Sequence, residues 1–261
     1  MRFSIITAIR NNKDHLRQKM ASLRMQTFHN YEHIIIDGAS SDGTIDVIKE
    51  LADEKTKWTS EPDSGIYEAL NKRINMSSGK VICILHSDDE FAEPKVLETV
   101  ADVFNSNQTD SVYGDLLYVR RPKLSTTSHH KKVTHKVIRW WRSGDFKYNS
   151  LKFGWMPPHP AFFVKRKVYE DFGGFDSSFQ IAADYEIILR FLWSKKISTA
   201  YLPKVITRMT DGGASNRSIG NIIIKSMEDY SALKKNDIPF PIFTLLCKNF
   251  RKFPQFLARD L

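Results

Sequence analysis

Apolar runs alternating with stretches of helical spacing organise the first half of the chain. Residues 2–9 (RFSIITAI) read as a buried strand, and 13–26 carry Leu16, Met20 and Leu23 at helical spacing. Residues 32–37 (EHIIID) make a second strand that ends in an acid. The turn GASSDG follows at 38–43, and 44–51 sets Ile45, Ile48 and Leu51 on one helical face. A short strand at 57–60 leads to Asp63, and a helix covers 65–76. Within residues 80–90 (KVICILHSDDE), Val81 to Leu85 is a continuous apolar run behind Gly79. Such a run suits a strand buried on both faces, as in a parallel sheet covered by helices. A helix at 94–104 and a strand at 111–119 complete this half. Strand–helix alternation without a fixed repeat predicts a doubly wound α/β sheet.

Three of these strands end in acids: Asp37, Asp63 and the pair Asp88–Asp89. In open α/β sheets ligands bind beyond the carboxyl ends of the strands. An adjacent carboxylate pair there suits a hard divalent cation, which completes its shell with phosphate oxygens and water. The bland alternative is that the pair caps the next helix, which Pro94 helps to start. The other acids can accept from ribose hydroxyls and a base N–H, so the set matches a nucleotide-sugar site. Neither a GK[ST] phosphate loop nor a GxGxxG turn is present.

SIIT at 4–7, IDGASSDGT at 36–44, EPDSGIYEALNK at 61–72 and LHSDD at 85–89 resemble family 2 glycosyltransferases of the GT-A fold. PHPAFFVKRKVYEDFGGFD at 158–176, AADYEIILR at 182–190 and RMTDGGAS at 208–215 continue the resemblance in order. It implies a mostly parallel sheet flanked by helices and inverting sugar transfer from a nucleoside diphosphate, with Mg²⁺ or Mn²⁺. By the same resemblance Thr7, Asp37, Asp63 and Asp88 would bind the nucleotide, Asp88 and Asp89 the metal, and Asp184 would be the catalytic base. Two departures stand out. Many relatives end this strand in Asp-x-Asp, where this chain has His86-Ser87-Asp88, and many have Glu-Asp where Ala183 precedes Asp184.

The second half reads less regularly. Residues 120–150 hold nine Lys/Arg against one acid, with His129, His130, His135, Trp140 and Trp141. A solvated loop followed by a surface helix is one expectation; around Trp140 and Trp141 an interfacial patch is the other. Residues 162–164 read as a strand returning to the sheet, 165–172 as a helix, 183–193 as an amphipathic helix opening with Asp184, and 199–208 as a strand. His159, between two prolines, is either an acceptor contact or a structural histidine. Arg208 is either a leaving-group cation or half of a surface salt bridge. Gly212 and Gly213 could hinge a loop closing over the diphosphate. Beyond 238, Phe243, Leu246, Cys247 and Phe250 recur at helical spacing, with Lys248, Arg251 and Lys252 away from them. That helix either packs on the domain or lies in a membrane interface, and its basic charge favours the membrane.

Charge sharpens this division. The chain carries a formal +9 overall, of which residues 120–150 supply +8 and 234–261 supply +4, leaving about −3 elsewhere. Basic segments on a non-basic core argue for local anionic partners. Cys83 and Cys247 imply no disulfide framework, no signal-peptide pattern follows Met1, and no apolar stretch approaches a membrane span. The expected organisation is a GT-A domain over 1–232, comprising a nucleotide half (1–119), a basic insertion (120–150) and an acceptor-side half (151–232), followed by a basic amphipathic segment (233–261). The expected enzyme is cytoplasmic and peripheral on the inner membrane face. It would use a UDP-sugar and a saccharide acceptor on a lipid diphosphate, with no nucleic-acid partner. The rivals are a non-catalytic nucleic-acid binder and a sugar nucleotidyltransferase.

Overall fold

The computed structural model describes residues 1–62, 65–120, 136–210 and 219–257. Asp63, His129, His130, His135, Gly212 and Gly213 therefore lie outside the described residues. The apolar runs become β1 (Phe3–Ile9), β2 (Tyr31–Asp37), β3 (Thr56–Ser60) and β4 (Val81–Ile84), which pair in parallel in the order β3-β2-β1-β4. Their common direction brings the ends of β2 and β4 to one edge. Between them run α1 (Lys13–Arg24), α2 (Thr44–Leu51) and α3 (Ile66–Met76).

Pleating sorts the side chains into two cores. On one face Ile5, Val81, Cys83 and Leu85 pack under α4 (Val96–Asn107), and Ile9 and Ile35 pack under α1 and α2. On the other face Ile6, Ile34, Ile36, Ile82 and Ile84 meet α3 through Leu70 and Ile74, and α6 (Ala183–Leu189) through Ile187 and Ile188. Each fully buried aliphatic side chain contributes about 1.5–3 kcal/mol relative to exposure.

The sheet is mixed beyond β4. The strand β8 (Phe162–Lys165) enters antiparallel between β4 and β6 (Ser111–Arg120), and β9 (Thr199–Thr210) runs parallel to β6. The short β5 (Asp89–Phe91) pairs antiparallel with β9. Residues Lys136–Trp141, expected as loop and helix, form β7, antiparallel to β6. Their side chains after Lys136 are all half-buried, so no strong alternation marked the strand in sequence. Arg139 stacks over Tyr118 and Trp141, while Arg142 lies 3.9 Å from the centre of the Trp140 ring. These tryptophans are partners of β6 and of neighbouring guanidinium groups.

After α5 (Arg166–Phe172) and α6 come α7 (Ile219–Lys235), α8 (Pro241–Phe250) and α9 (Pro254–Leu257). The boundary expected after 232 falls inside α7. The appendage is also well seated. Gly154, at φ +70°, lets the α8 backbone approach so closely that an added Cβ would meet Lys248 N at 2.3 Å. Thr244 donates to the Lys152 carbonyl at 2.7 Å.

Candidate active site

The β2 edge presents Asp37, which is fully buried. Its Oδ2 accepts from the Ser40 N–H at 2.9 Å and the Ser60 hydroxyl at 2.7 Å. Its Oδ1 is buried and has no hydrogen-bond partner among the described residues. A buried carboxylate oxygen without a donor is costly unless one arrives. A base N–H or a hydroxyl would supply it.

At the end of β4 the geometry divides the acid pair. Asp89 is fully buried, and its Oδ2 accepts from the His86 N–H at 3.2 Å while the Asp89 N–H donates to the His86 carbonyl at 3.1 Å. Asp89 therefore closes the turn that leads into β5. Asp88 stays half-exposed, and its carbonyl accepts from the Thr210 hydroxyl at 3.1 Å. Asn12 of the β1–α1 loop donates to the Ser87 hydroxyl at 2.7 Å, fixing the turn from the other side. Of the two acids expected at a metal, only Asp88 is open to a ligand.

Beneath this turn lies Lys19, which is wholly buried. Its ammonium donates to Thr7 Oγ1 and to the carbonyls of Leu85 and His86. Burial pushes its pKa down to about 7, and the nearby Asp89 opposes that shift. Lys19 sits at i+3 from Leu16, so helical spacing placed it on the apolar stripe all along. Thr7, expected at the nucleotide, spends its hydroxyl here, donating to the Leu85 carbonyl at 3.0 Å with His33 Nε2 at 3.1 Å. Its side chain supports the turn from below.

His86, in the same turn, feels the charges of both Asp88 and Asp184, and His159 feels Asp184. The two imidazole centroids are 5.9 Å apart, and His159 meets Phe175 edge-on at 5.6 Å. Burial pushes His159 down to about 4; Asp184 pulls the other way, and His86 adds to the depression. His159 is thus neutral at ordinary pH, and its Nδ1 is buried without a hydrogen-bond partner among the described residues. Burial also lowers His86, against the pull of Asp88.

Asp184 lies in the first turn of α6, half-exposed, with Oδ1 accepting from the Tyr185 N–H at 2.8 Å. It is not the cap. The cap position is Ala182, and Glu228 of α7 accepts from the N–H groups of Gln180, Ile181 and Ala182 at 2.7–2.8 Å. Glu228 thus fixes the segment entering α6 without using the Asp184 carboxylate.

Behind α6, Asp229 receives Lys225 at 3.1 Å and Lys248 at 2.8 Å, and Lys248 also lies 3.3 Å from the centre of the Tyr185 ring. Burial pushes Lys248 down to about 7, against the pull of Asp229. The unfolded lysine titrates near 10.4, so between about 7 and 10 the unfolded chain holds more protons. This group's contribution to stability therefore rises with pH through that window, and its cost is complete below it. Lys248→Met should flatten the rise in melting temperature between about pH 7 and 9. An unchanged slope would mean that the ammonium is solvated in the fold.

Residues 4–173 match the model of glycosyl transferase family 2. The chain belongs to glycosyl transferase family 2. The uncharacterized glycosyltransferase Rv1514c of Mycobacterium tuberculosis (H37Rv) is 31% identical over 191 residues, covering 72% of this chain and 67% of that one. The PGL/p-HBAD biosynthesis glycosyltransferase Rv2957 of the same strain is 26% identical over 230 residues, covering 86% and 83%. Among solved structures, S. aureus TarS 1-349 in complex with UDP-GlcNAc superposes with TM-score 0.64 at 14% identity, covering 99% of this chain and 72% of that one. The mannosyltransferase PcManGT from Pyrobaculum calidifontis, in complex with GDP-Man and Mn2+, gives 0.64 at 17%, covering 99% and 73%. Against another S. aureus TarS chain the match covers 90% of this chain and 39% of that one. These likenesses show the GT-A fold expected from the sequence.

The register of β9 fixes the direction of Arg208. Met209 pairs with both Asp89 and Tyr118, whereas Arg208 pairs with Glu90 and Leu117. Alternation then turns Arg208 away from the face shared by Asp89 and Tyr118. Its guanidinium lies 4.0 Å from Glu90 and lines a groove with Ala92, Glu93 and Lys204. Arg208 thus forms the salt bridge expected as its alternative role. Lys225 and Lys248 lie within electrostatic reach of Asp184, and neither stands out in the sequence as a site residue.

A divalent cation also has to fit what is present. No group of three His, Cys, Asp or Glu side chains among the described residues could hold a metal by itself. One accessible carboxylate, Asp88, fits the mode in which Mg²⁺ or Mn²⁺ takes one or two protein oxygens and the rest from diphosphate and water.

Proposed function

We propose that this family 2 enzyme transfers a sugar, with inversion, from a UDP-sugar to a saccharide acceptor on a lipid diphosphate in bacterial surface-polysaccharide synthesis. The reading rests on one arrangement: an unsatisfied Asp37 oxygen and an accessible Asp88 at the sheet edge, with a half-exposed Asp184 whose charge reaches the same His86 that feels Asp88. TarS in complex with UDP and with UDP-GlcNAc supports a uridine donor. The Mn2+ of PcManGT supports a divalent cation.

In this reading Asp37 and Asp63 hold the uridine, Thr7 steadies the turn beneath it, and Asp88 presents its carboxylate toward the diphosphate. A cation bound there would supply Lewis-acid stabilisation of the leaving group. Asp184 takes the proton from the acceptor hydroxyl as it attacks the anomeric carbon, and the neutral His159 lines the acceptor side. No described helix is long and apolar enough to cross a membrane. A peripheral position on the inner face would give such an enzyme its lipid-linked acceptor.

Thermal stabilisation by a panel of nucleotide sugars tests the reading. A UDP-sugar with Mn²⁺ at about 100 times its Kd should add about 2.7 kcal/mol, and EDTA should abolish the shift. Stabilisation by no nucleotide sugar, or equal stabilisation in EDTA, would overturn it.

A further inference from the structure

Helix α8 is turned inside out relative to an ordinary surface helix. Its buried positions are Thr244 and Lys248. Ile242, Phe243, Leu246 and Phe250 are each at least 50% exposed. At 100° per residue these four fall within an arc of about 100°, opposite Thr244 and Lys248. Phe240 (79% exposed) and Phe253 (68% exposed) extend the surface at either end of the helix. Phe153 meets Phe243 edge-on at 6.0 Å, so the patch continues onto the neighbouring 3₁₀ turn. A contiguous apolar face of this kind marks an interaction site.

We infer that the outward face of α8 docks on an anionic bilayer surface. Charge selects this occupant. Apart from Lys248, which is buried against Asp229, residues 234–257 carry Lys234, Arg251 and Lys252, and Lys235 paired with Asp176, against the single acid Asp237. A second copy would oppose two like-charged faces in an isologous contact. Acidic headgroups attract them, and lysine stems can lie along the apolar surface with the ammonium in the headgroup layer. The inward face explains why α8 cannot roll over: Lys248 is bonded to Asp229 at 2.8 Å, and Thr244 to Lys152 at 2.7 Å. Because Lys248 also lies over Tyr185, beside Asp184, a bilayer under α8 would hold the acceptor-side wall close to lipid-borne substrate. That last sense rests on the proposed transferase reading; docking itself does not.

The test is sedimentation of the full chain with phosphatidylcholine vesicles containing a quarter phosphatidylglycerol, compared with Phe243→Gln/Leu246→Gln/Phe250→Gln. The wild type should bind these vesicles at least tenfold more tightly than pure phosphatidylcholine, releasing as salt rises. The triple variant should lose at least tenfold in vesicle affinity, with unchanged melting temperature and unchanged UDP–Mn²⁺ affinity. Equal vesicle binding by both proteins, indifference to phosphatidylglycerol, or a wild-type dimer that the variant abolishes would each overturn the inference. Vesicle binding without any nucleotide binding would leave docking intact and sink the transferase reading alone.

Discussion

Asp184→Asn should give a folded protein that keeps metal-dependent UDP binding and turns over about 10²–10⁴ times more slowly, the usual loss when a general base is removed. The substitution is clean because the helix does not depend on this side chain for its cap. Glu228 satisfies the three N–H groups ahead of α6. The Asn carbonyl oxygen can still accept from the Tyr185 N–H that Asp184 Oδ1 engages at 2.8 Å. Shape and local bonding survive, and only the capacity to take a proton goes. Single-turnover transfer measures the chemistry, and the melting temperature checks the fold. Near-normal turnover would place the base elsewhere. His159 is then next, since its neutral ring carries a buried Nδ1 without a described partner.

The parallel half of the fold was legible because strands buried on both faces must be apolar throughout. Val81 to Leu85 shows this, and so does EHIIID with its terminal acid. The places of Asp37 and of the Asp88–Asp89 turn followed from strand direction. What escaped the sequence depends on orientation about an axis. The four residues of β8 say nothing of their antiparallel insertion between β4 and β6. Arg208 and its neighbour Met209 differ only by one step of the pleat, yet that step decides which of them faces the site. Lys19 and Lys248 occupy inward helical positions; in sequence Lys248 falls on the polar side of its helix and Lys19 does not stand out, because an unpaired buried ammonium is costly. Carbonyls around Lys19 and the Asp229 carboxylate beside Lys248 offset that cost. The same inversion turned the apolar residues of α8 outward.

The two acids after β4 should respond differently to the same substitution. Asp88→Asn should abolish most metal-dependent UDP affinity while leaving the melting temperature of the unliganded protein nearly unchanged. Its carboxylate is half-exposed, and its recorded bond to Thr210 uses the backbone carbonyl. Loss of a charged oxygen ligand removes the attraction to a divalent cation without unpairing anything in the fold. Asp89→Asn should instead lower the melting temperature. Its side chain is fully buried, accepts from the His86 N–H at 3.2 Å, and lies within electrostatic reach of the buried Lys19. Removing a buried charge from such a setting takes away the attraction that favours the Lys19 ammonium, although the carbonyls around Lys19 remain. Titration calorimetry with UDP and Mn²⁺, beside thermal melts, separates the two effects. Asp89 would be the metal's ligand, and the turn would have to open on binding, if Asp89→Asn lost cation-dependent affinity at full stability while Asp88→Asn retained it.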